Sequence, residues 1–75
     1  MDEINYMKFT IGEKITMLRQ QEGKTLEEVA EHLKVSTINY VKWENDFVYP
    51  SDQQLARLGE LYGLTYDQVI TYGEN

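Results

Sequence analysis

The chain contains no cysteine, a single proline and fewer basic than acidic residues. Without cysteine, neither a disulfide nor a thiolate metal site can stabilise the fold, so the 75 residues must fold by apolar packing alone. The lack of thiols also fits a reducing compartment. No stretch approaches the roughly 20 apolar residues that a membrane span needs. We therefore expect one small cytoplasmic domain without a membrane partner.

Basic residues are too few for a broad nucleic-acid-binding surface. Seven Lys and Arg stand against thirteen Asp and Glu, which gives a net charge of −6. Proteins that bind nucleic acid through their general field are usually basic, because neutralising phosphates supplies most of the sequence-independent affinity. Any contact with DNA must therefore depend on a few local groups.

Helix-start signals recur along the chain. A Ser or Thr followed three residues later by Glu or Gln is the pattern of a capping box. It occurs at Thr10–Glu13, Thr25–Glu28, Ser51–Gln54 and Thr65–Gln68, while Ser36 is a plain N-cap. The signals predict an all-α domain of five helices, compact and without strands. We expect an N-terminal arm at residues 1–10, a domain at residues 11–72, and helices at about residues 11–22, 26–33, 37–46, 52–62 and 66–72.

Apolar residues at helical spacing define the expected core. Its members are Ile11, Ile15, Leu18, Val29, Ala30, Leu33, Leu55, Leu58, Leu61, Tyr62, Val69 and Ile70. Packing accounts for all of these positions, so no cofactor and no metal are expected.

The third helix has two different faces. At about 100° per residue, Tyr40, Trp43 and Phe47 fall on one face, which we expect in the core. Glu44 lies beside them, where a carboxylate needs a cation, and Arg19 is the best partner for a structural ion pair. The opposite face, with its flanks and entry, carries Thr37, Ile38, Asn39, Val41, Lys42 and Asn45.

Two short helices joined by a tight turn, with one face of the second helix free, match the geometry that places a helix in the major groove. Residues 11–70 resemble the lambda-repressor-like (Cro/CI, XRE) helix-turn-helix family of transcriptional regulators. The residues that carry the resemblance are Ile15, Leu18, Arg19, Thr25, Glu27, Glu28, Val29, Ala30, Leu33, Val35, Ser36, Trp43, Glu44, Pro50, Ser51, Leu55, Leu58, Gly63 and Leu64.

The resemblance implies a repressor that binds double-stranded operator DNA as a homodimer. The expected DNA-binding residues are Leu26, Ser36, Thr37, Ile38, Asn39, Val41, Lys42 and Asn45. Lys34, together with Lys8 or Lys14, is expected to add cations at the edge of this surface. The expected dimer contact uses Val48, Tyr49 and Tyr72. The family usually has Gln in place of Leu26, Gly in place of Lys34, and Ser or Thr in place of Val41.

Two other classes of function remain open at this stage. Leu26, Ile38 and Val41, if exposed together on an acidic domain, would form a protein-binding patch, and the domain would then be an adaptor or anti-repressor without DNA. An enzyme is poorly supported, because His32 and Glu28 are only two ligands and no nucleophile motif or phosphate loop occurs.

Overall fold

Every helix begins directly after a hydroxyl side chain. The computed structural model describes residues 8–74, and in that range it contains α1 (Ile11–Gln21), α2 (Leu26–Leu33), α3 (Thr37–Glu44), α4 (Asp52–Tyr62) and α5 (Tyr66–Ile70). The predicted all-α fold of five helices is confirmed. Residues 1–7 of the predicted arm lie outside the described residues, so the boundary at residue 10 stays a prediction. No helix within residues 8–74 has the length and apolar character needed to cross a bilayer.

All four predicted capping boxes form. In each, the Ser or Thr oxygen accepts from the backbone N–H three residues later, and that residue's side chain accepts from the N–H of the cap. Ser36 caps α3 by accepting from the Asn39 N–H at 3.1 Å. Each cap contributes about 1 kcal/mol. The helix starts are therefore determined by local sequence.

Left-handed backbone conformations end the helices. Gly23 (φ 68°) follows α1 and Gly63 (φ 73°) caps α4, and glycine adopts this conformation without steric cost. Two residues with side chains do the same: Lys34 (φ 59°) caps α2, and Asp46 (φ 63°) follows α3. Because of the turn at Asp46, α3 is shorter than predicted, and α5 also ends earlier than predicted.

One apolar cluster joins all five helices. Its buried members are Ile11, Ile15, Leu18, Val29, Ala30, Leu33, Tyr40, Trp43, Leu55, Leu58 and Val69. Leu61, Tyr62 and Ile70, which were expected in the core, are half-buried at its edge. α3 packs against both α1 and α2, while α4 packs against α5. The second helix of the candidate helix-turn-helix is thereby held on two sides.

The prediction that Phe47 belongs to the core is wrong, since its side chain is 79% exposed. That prediction extended the helical phase of Tyr40 and Trp43 by one more turn. α3 ends at Glu44, and the left-handed backbone at Asp46 redirects the chain. Helical phase therefore no longer determines where Phe47 points.

Lys14 was expected at the edge of a DNA-binding surface, and that expectation is also wrong. The residue is only 5% exposed. Its ammonium group donates to the Ile70 carbonyl at the end of α5 and to the Glu74 carboxylate. A long apolar stem allows a lysine to be buried in this way, and a cation is favourable at a helix C-terminus. The bond from Lys14 lowers the pKa of the Glu74 carboxyl group.

Candidate nucleic-acid interface

α3 has one buried and one exposed face. Tyr40 is fully buried, Trp43 is nearly so, and their rings meet edge to face with centroids 5.8 Å apart. On the opposite side Ile38 is 71% exposed, and Asn39 and Lys42 are exposed as well. The buried rings fix the rotation of the helix about its axis. α3 therefore holds Ile38, Asn39 and Lys42 outward on a rigid element.

An ion pair ties the inner edge of α3 to α1. Arg19 Nε donates to Glu44 Oε2 at 2.7 Å, and Arg19 Nη2 donates to Glu44 Oε1 at 3.2 Å. Arg19 Nη1 donates to the Lys24 carbonyl at 3.0 Å. The bond with Glu44 raises the pKa of Arg19. The structure thus brings together the two charges that the sequence suggested as a pair, and it links them to the turn before α2.

Two tyrosine hydroxyl groups are buried near this ion pair. Neither Tyr40 Oη nor Tyr62 Oη has a hydrogen-bond partner within residues 8–74. Burial raises the pKa of Tyr62 to about 12, and the negative charge of Glu44 adds to this effect. Burial also raises the pKa of Tyr40 far above its ordinary value, and proximity to Glu44 contributes again. Both phenols therefore keep their protons to a higher pH than an exposed tyrosine does.

A second carboxylate connects the end of α3 with the start of α1. Asp46 Oδ1 accepts from the Gly12 N–H at 2.9 Å, and Asp46 Oδ2 accepts from the Thr10 hydroxyl at 2.6 Å. Negative charge is favourable at a helix N-terminus. A Cβ on Gly12 would lie 2.4 Å from the Glu44 carbonyl oxygen, so only glycine permits this approach. The contact was not predicted, and Gly12 within a helical pattern is the one sequence signal for it.

The distribution of carboxylates distinguishes the start of α3 from the other helix starts. Of the five helices in residues 8–74, α3 alone has no carboxylate in its first turn, whereas α2 begins with Glu27 and Glu28. Free backbone N–H groups give a helix start a partial positive charge, which a nearby carboxylate offsets. The start of α3 therefore lacks the carboxylate that offsets this partial charge at the other four helix starts of residues 8–74.

The other predicted DNA-contacting residues of this region differ in their exposure and in the hydrogen bonds that their side chains already form. Ser36 is exposed at the N-cap, while Thr37 and Val41 are half-buried. Asn45 is the C-cap of α3, and its side-chain amide donates to the Val41 carbonyl at 3.0 Å. The Asn45 amide is thus already engaged with the backbone of its own helix.

The expectation that Leu26, Ile38 and Val41 are exposed together as one patch is wrong. Leu26 is half-buried and packs against the core cluster, because it shares the face of α2 that carries Val29 and Leu33. Val41 is half-buried as well. Of the three residues, Ile38 alone remains exposed.

The loop between α3 and α4, residues 45–51, lies beside the exposed face of α3. A groove of about 300 Å³ is lined by Val35, Asn39, Lys42, Trp43, Val48 and Gln54. In this loop Val48 is 46% exposed and Tyr49 is 65% exposed. Tyr72, the third expected dimer residue, is half-buried, and its hydroxyl group donates to Gln21. The loop residues are therefore more available to a partner than Tyr72 is.

No metal site is built in the part of the chain that the structure describes. The Glu28 carboxylate accepts from the Thr25 N–H at 2.8 Å, so it serves the cap of α2 and not a metal with the exposed His32. Within residues 8–74 no three His, Asp or Glu side chains are grouped to hold an ion.

Comparison with known proteins agrees with this geometry. A family model described as a helix-turn-helix domain matches residues 12–72. The HTH-type transcriptional regulator ImmR of Bacillus subtilis (strain 168) is 30% identical over 61 residues, which cover 81% of this chain and 48% of ImmR. The HTH-type transcriptional activator BcrR of Enterococcus faecalis is 32% identical over 60 residues, which cover 80% of this chain and 29% of BcrR. The match thus spans less than half the length of either relative. No solved structure matches the chain.

Proposed function

The chain belongs to the helix-turn-helix domain family, and from that premise we propose that it is a sequence-specific DNA-binding transcriptional regulator that inserts α3 into the major groove. The observation that carries this proposal is that α3 has no unpaired carboxylate. Its first turn has none, and Glu44 at its end is paired with Arg19. An acidic protein can present this one helix to DNA without placing a free carboxylate against phosphate.

The exposed side chains of α3 supply the chemistry of base recognition. The Asn39 amide can bond adenine in a bidentate manner, Ile38 can contact a thymine methyl group, and Lys42 can bond guanine or a phosphate. Thr37 and Ser36, at the start of the helix, are placed for phosphate contacts together with backbone N–H groups. We propose a smaller role for Leu26, Val41 and Asn45, because each is partly buried or already engaged.

We further propose that the regulator acts as a homodimer and a repressor. Exposed Val48 and Tyr49 support a dimer contact through the loop between α3 and α4. Tyr72 would lie at the margin of such a contact. A dimer places two copies of α3 on a palindromic operator, and under this proposal the bound dimer represses by blocking access to the promoter. The domain binds and does not catalyse under this proposal, and its expected location is the cytoplasm.

The test is a salt-dependent binding titration against a random pool of DNA duplexes, with sequencing of the retained molecules. We expect an enriched palindromic motif and a slope of log K against log salt of roughly −2 to −4, because only a few cations contact phosphate. No retention at about 50 mM salt would overturn the proposal. Light scattering of the free and DNA-bound protein tests the dimer, which a monomer in both states would contradict.

A protein-binding adaptor is the second candidate function. The exposed Ile38, together with Phe47 at 79% exposure, is the observation that favours it. Under this alternative, the same titration gives no DNA retention, while substitution of Ile38 by Ser weakens capture of a protein partner and leaves the fold intact.

A further inference from the structure

Two residues with side chains occupy the left-handed backbone region in the part of the chain that the structure describes: Lys34 (φ 59°) and Asp46 (φ 63°). Such a residue is less stable there than glycine, because its Cβ crowds the neighbouring carbonyl. Asp tolerates the region better than Lys does, since its short polar side chain bonds locally. In each case the side chain must offer something that glycine lacks.

At Asp46 the compensation is visible. Its carboxylate accepts one hydrogen bond from the Gly12 N–H and one from the Thr10 hydroxyl. These two bonds anchor the loop between α3 and α4 on the start of α1. Glycine at this position would relieve the backbone and lose both contacts.

At Lys34 the compensation within the fold is weaker, because it is limited to the favourable position of a cation at the C-terminus of α2. The Lys34 N–H donates to the carbonyls of Ala30 and Glu31, but these bonds use only the backbone and any residue except proline would form them. The side chain is exposed, and the ion pairs within residues 8–74 engage Lys14 and Arg19 instead. Glycine would therefore relieve the backbone and lose only the weak attraction between an exposed cation and the C-terminus of α2.

The position of Lys34 suggests what its charge does. It lies two residues before Ser36, the N-cap of α3, and so it adjoins the one helix start among residues 8–74 that has no carboxylate in its first turn. Lys42 stands on the exposed face of the same helix. Carboxylates pair with Lys14 and Arg19. Lys34 is therefore among the remaining basic residues that can bind an anion.

We propose that Lys34 is a phosphate-contacting residue, and that the chain tolerates left-handed backbone at a lysine in order to hold this cation beside the start of α3. This inference rests on the proposed function. A phosphate contact from Lys34 would supply affinity and fix the register of the protein on DNA, but it would not recognise a base. The chain thus loses the stability that glycine would give and gains DNA affinity. Strained residues are common at binding sites, where function and stability oppose each other.

The experiment measures folding for three substitutions of Lys34, and it measures their binding to the DNA motif selected from the random pool. Lys34→Gly is expected to raise the folding equilibrium constant about twofold, because the relieved backbone outweighs the lost cation at the C-terminus of α2, to weaken DNA binding roughly three- to tenfold, and to make the salt slope about one unit shallower. Lys34→Gln should weaken binding equally and lower the folding constant about twofold, because it removes the cation from the C-terminus of α2 and keeps the left-handed backbone at a residue with a side chain. Lys34→Arg should restore binding and the salt slope.

Two further variants serve as controls. Asp46→Gly is expected to lower the folding constant, because its side-chain bonds are lost. Arg57→Gln removes the same charge from α4 and should leave the salt slope unchanged.

Several outcomes would overturn the inference. If the wild type binds the motif, and Lys34→Gly and Lys34→Gln keep its affinity and salt slope, the proposed function stands and the role of Lys34 falls. An equal loss of binding in Arg57→Gln would show a general effect of net charge, and would also refute a specific contact. A wild type that binds no DNA removes the proposed function, and the inference with it.

Discussion

The buried side of α3 places Tyr40 and Trp43 in the core and pairs Glu44 with Arg19 of α1. Its exposed side carries Ile38, Asn39 and Lys42. The Glu44 carboxylate receives two hydrogen bonds from Arg19. In contrast, Asn39 is uncharged, and Lys42 forms no ion pair within residues 8–74. One helix thus separates the groups that hold the fold from the groups that remain free to bind. Substitutions on the two faces should accordingly change different measurements.

The strongest way to break the buried side is Glu44→Ala. It leaves the Arg19 guanidinium, whose side chain is only 14% exposed, without its carboxylate. We expect the free energy of unfolding, measured by urea denaturation with circular dichroism, to fall by about 3 kcal/mol. The paired variant Arg19→Met with Glu44→Leu removes both charges and should recover most of this loss. A double variant no more stable than Glu44→Ala would attribute the loss to packing and not to the unpaired charge.

Alkaline pH tests the buried side without a mutation. The phenols of Tyr40 and Tyr62 have raised pKa values, so the folded chain keeps protons that the unfolded chain releases above pH about 10. The contribution of the two phenols to stability is therefore fully present below that pH, and it is lost as the pH rises toward about 12, the pKa of Tyr62. The expected slope is about 1.4 kcal/mol per pH unit for each phenol. The measurement is urea unfolding at a series of pH values.

Tyr62→Phe should remove one phenol from that series and make the loss roughly half as steep. Tyr49→Phe, at a 65% exposed tyrosine, is the matched control and should leave the profile as it is. A profile that Tyr62→Phe does not alter would mean that other groups govern alkaline unfolding.

The buried side was largely predictable because its determinants are local. Capping boxes indicated four of the helix starts and the Ser36 N-cap indicated the fifth, while the spacing of Tyr40 and Trp43 indicated which face of α3 turns inward. The same phase identified Ile38, Asn39 and Lys42 as outward residues. Glu44 next to two aromatic residues was sufficient to suggest an ion pair with Arg19.

What could not be predicted depends on contacts between distant segments. Phe47 was placed in the core because nothing in the local sequence shows that Asp46 is drawn to Gly12, 34 residues away. Lys14 was placed on the surface because a lysine is seldom buried, and the acceptor that holds it, the Ile70 carbonyl, exists only after α1 and α5 have packed.

The smallest effects on stability are expected on the exposed side of α3. Substitutions there also give the sharpest test of the difference between its two faces. Asn39→Ala and Lys42→Ala should change the free energy of unfolding by no more than about 0.5 kcal/mol, because neither side chain supports the fold. Their effects on DNA binding should differ from each other. Asn39→Ala is expected to cost about 1–3 kcal/mol on the selected motif and to relax the preference at one base pair.

Lys42→Ala tests whether that lysine acts on phosphate or on a base. A phosphate contact predicts equal weakening on the selected motif and on a scrambled duplex, with a salt slope about one unit shallower. A guanine contact predicts loss on the selected motif alone. Fluorescence anisotropy on both duplexes at several salt concentrations distinguishes the two. If either alanine variant unfolded at markedly lower urea than the wild type, the exposed side would also be holding the fold, and the separation of the two faces of α3 would fail.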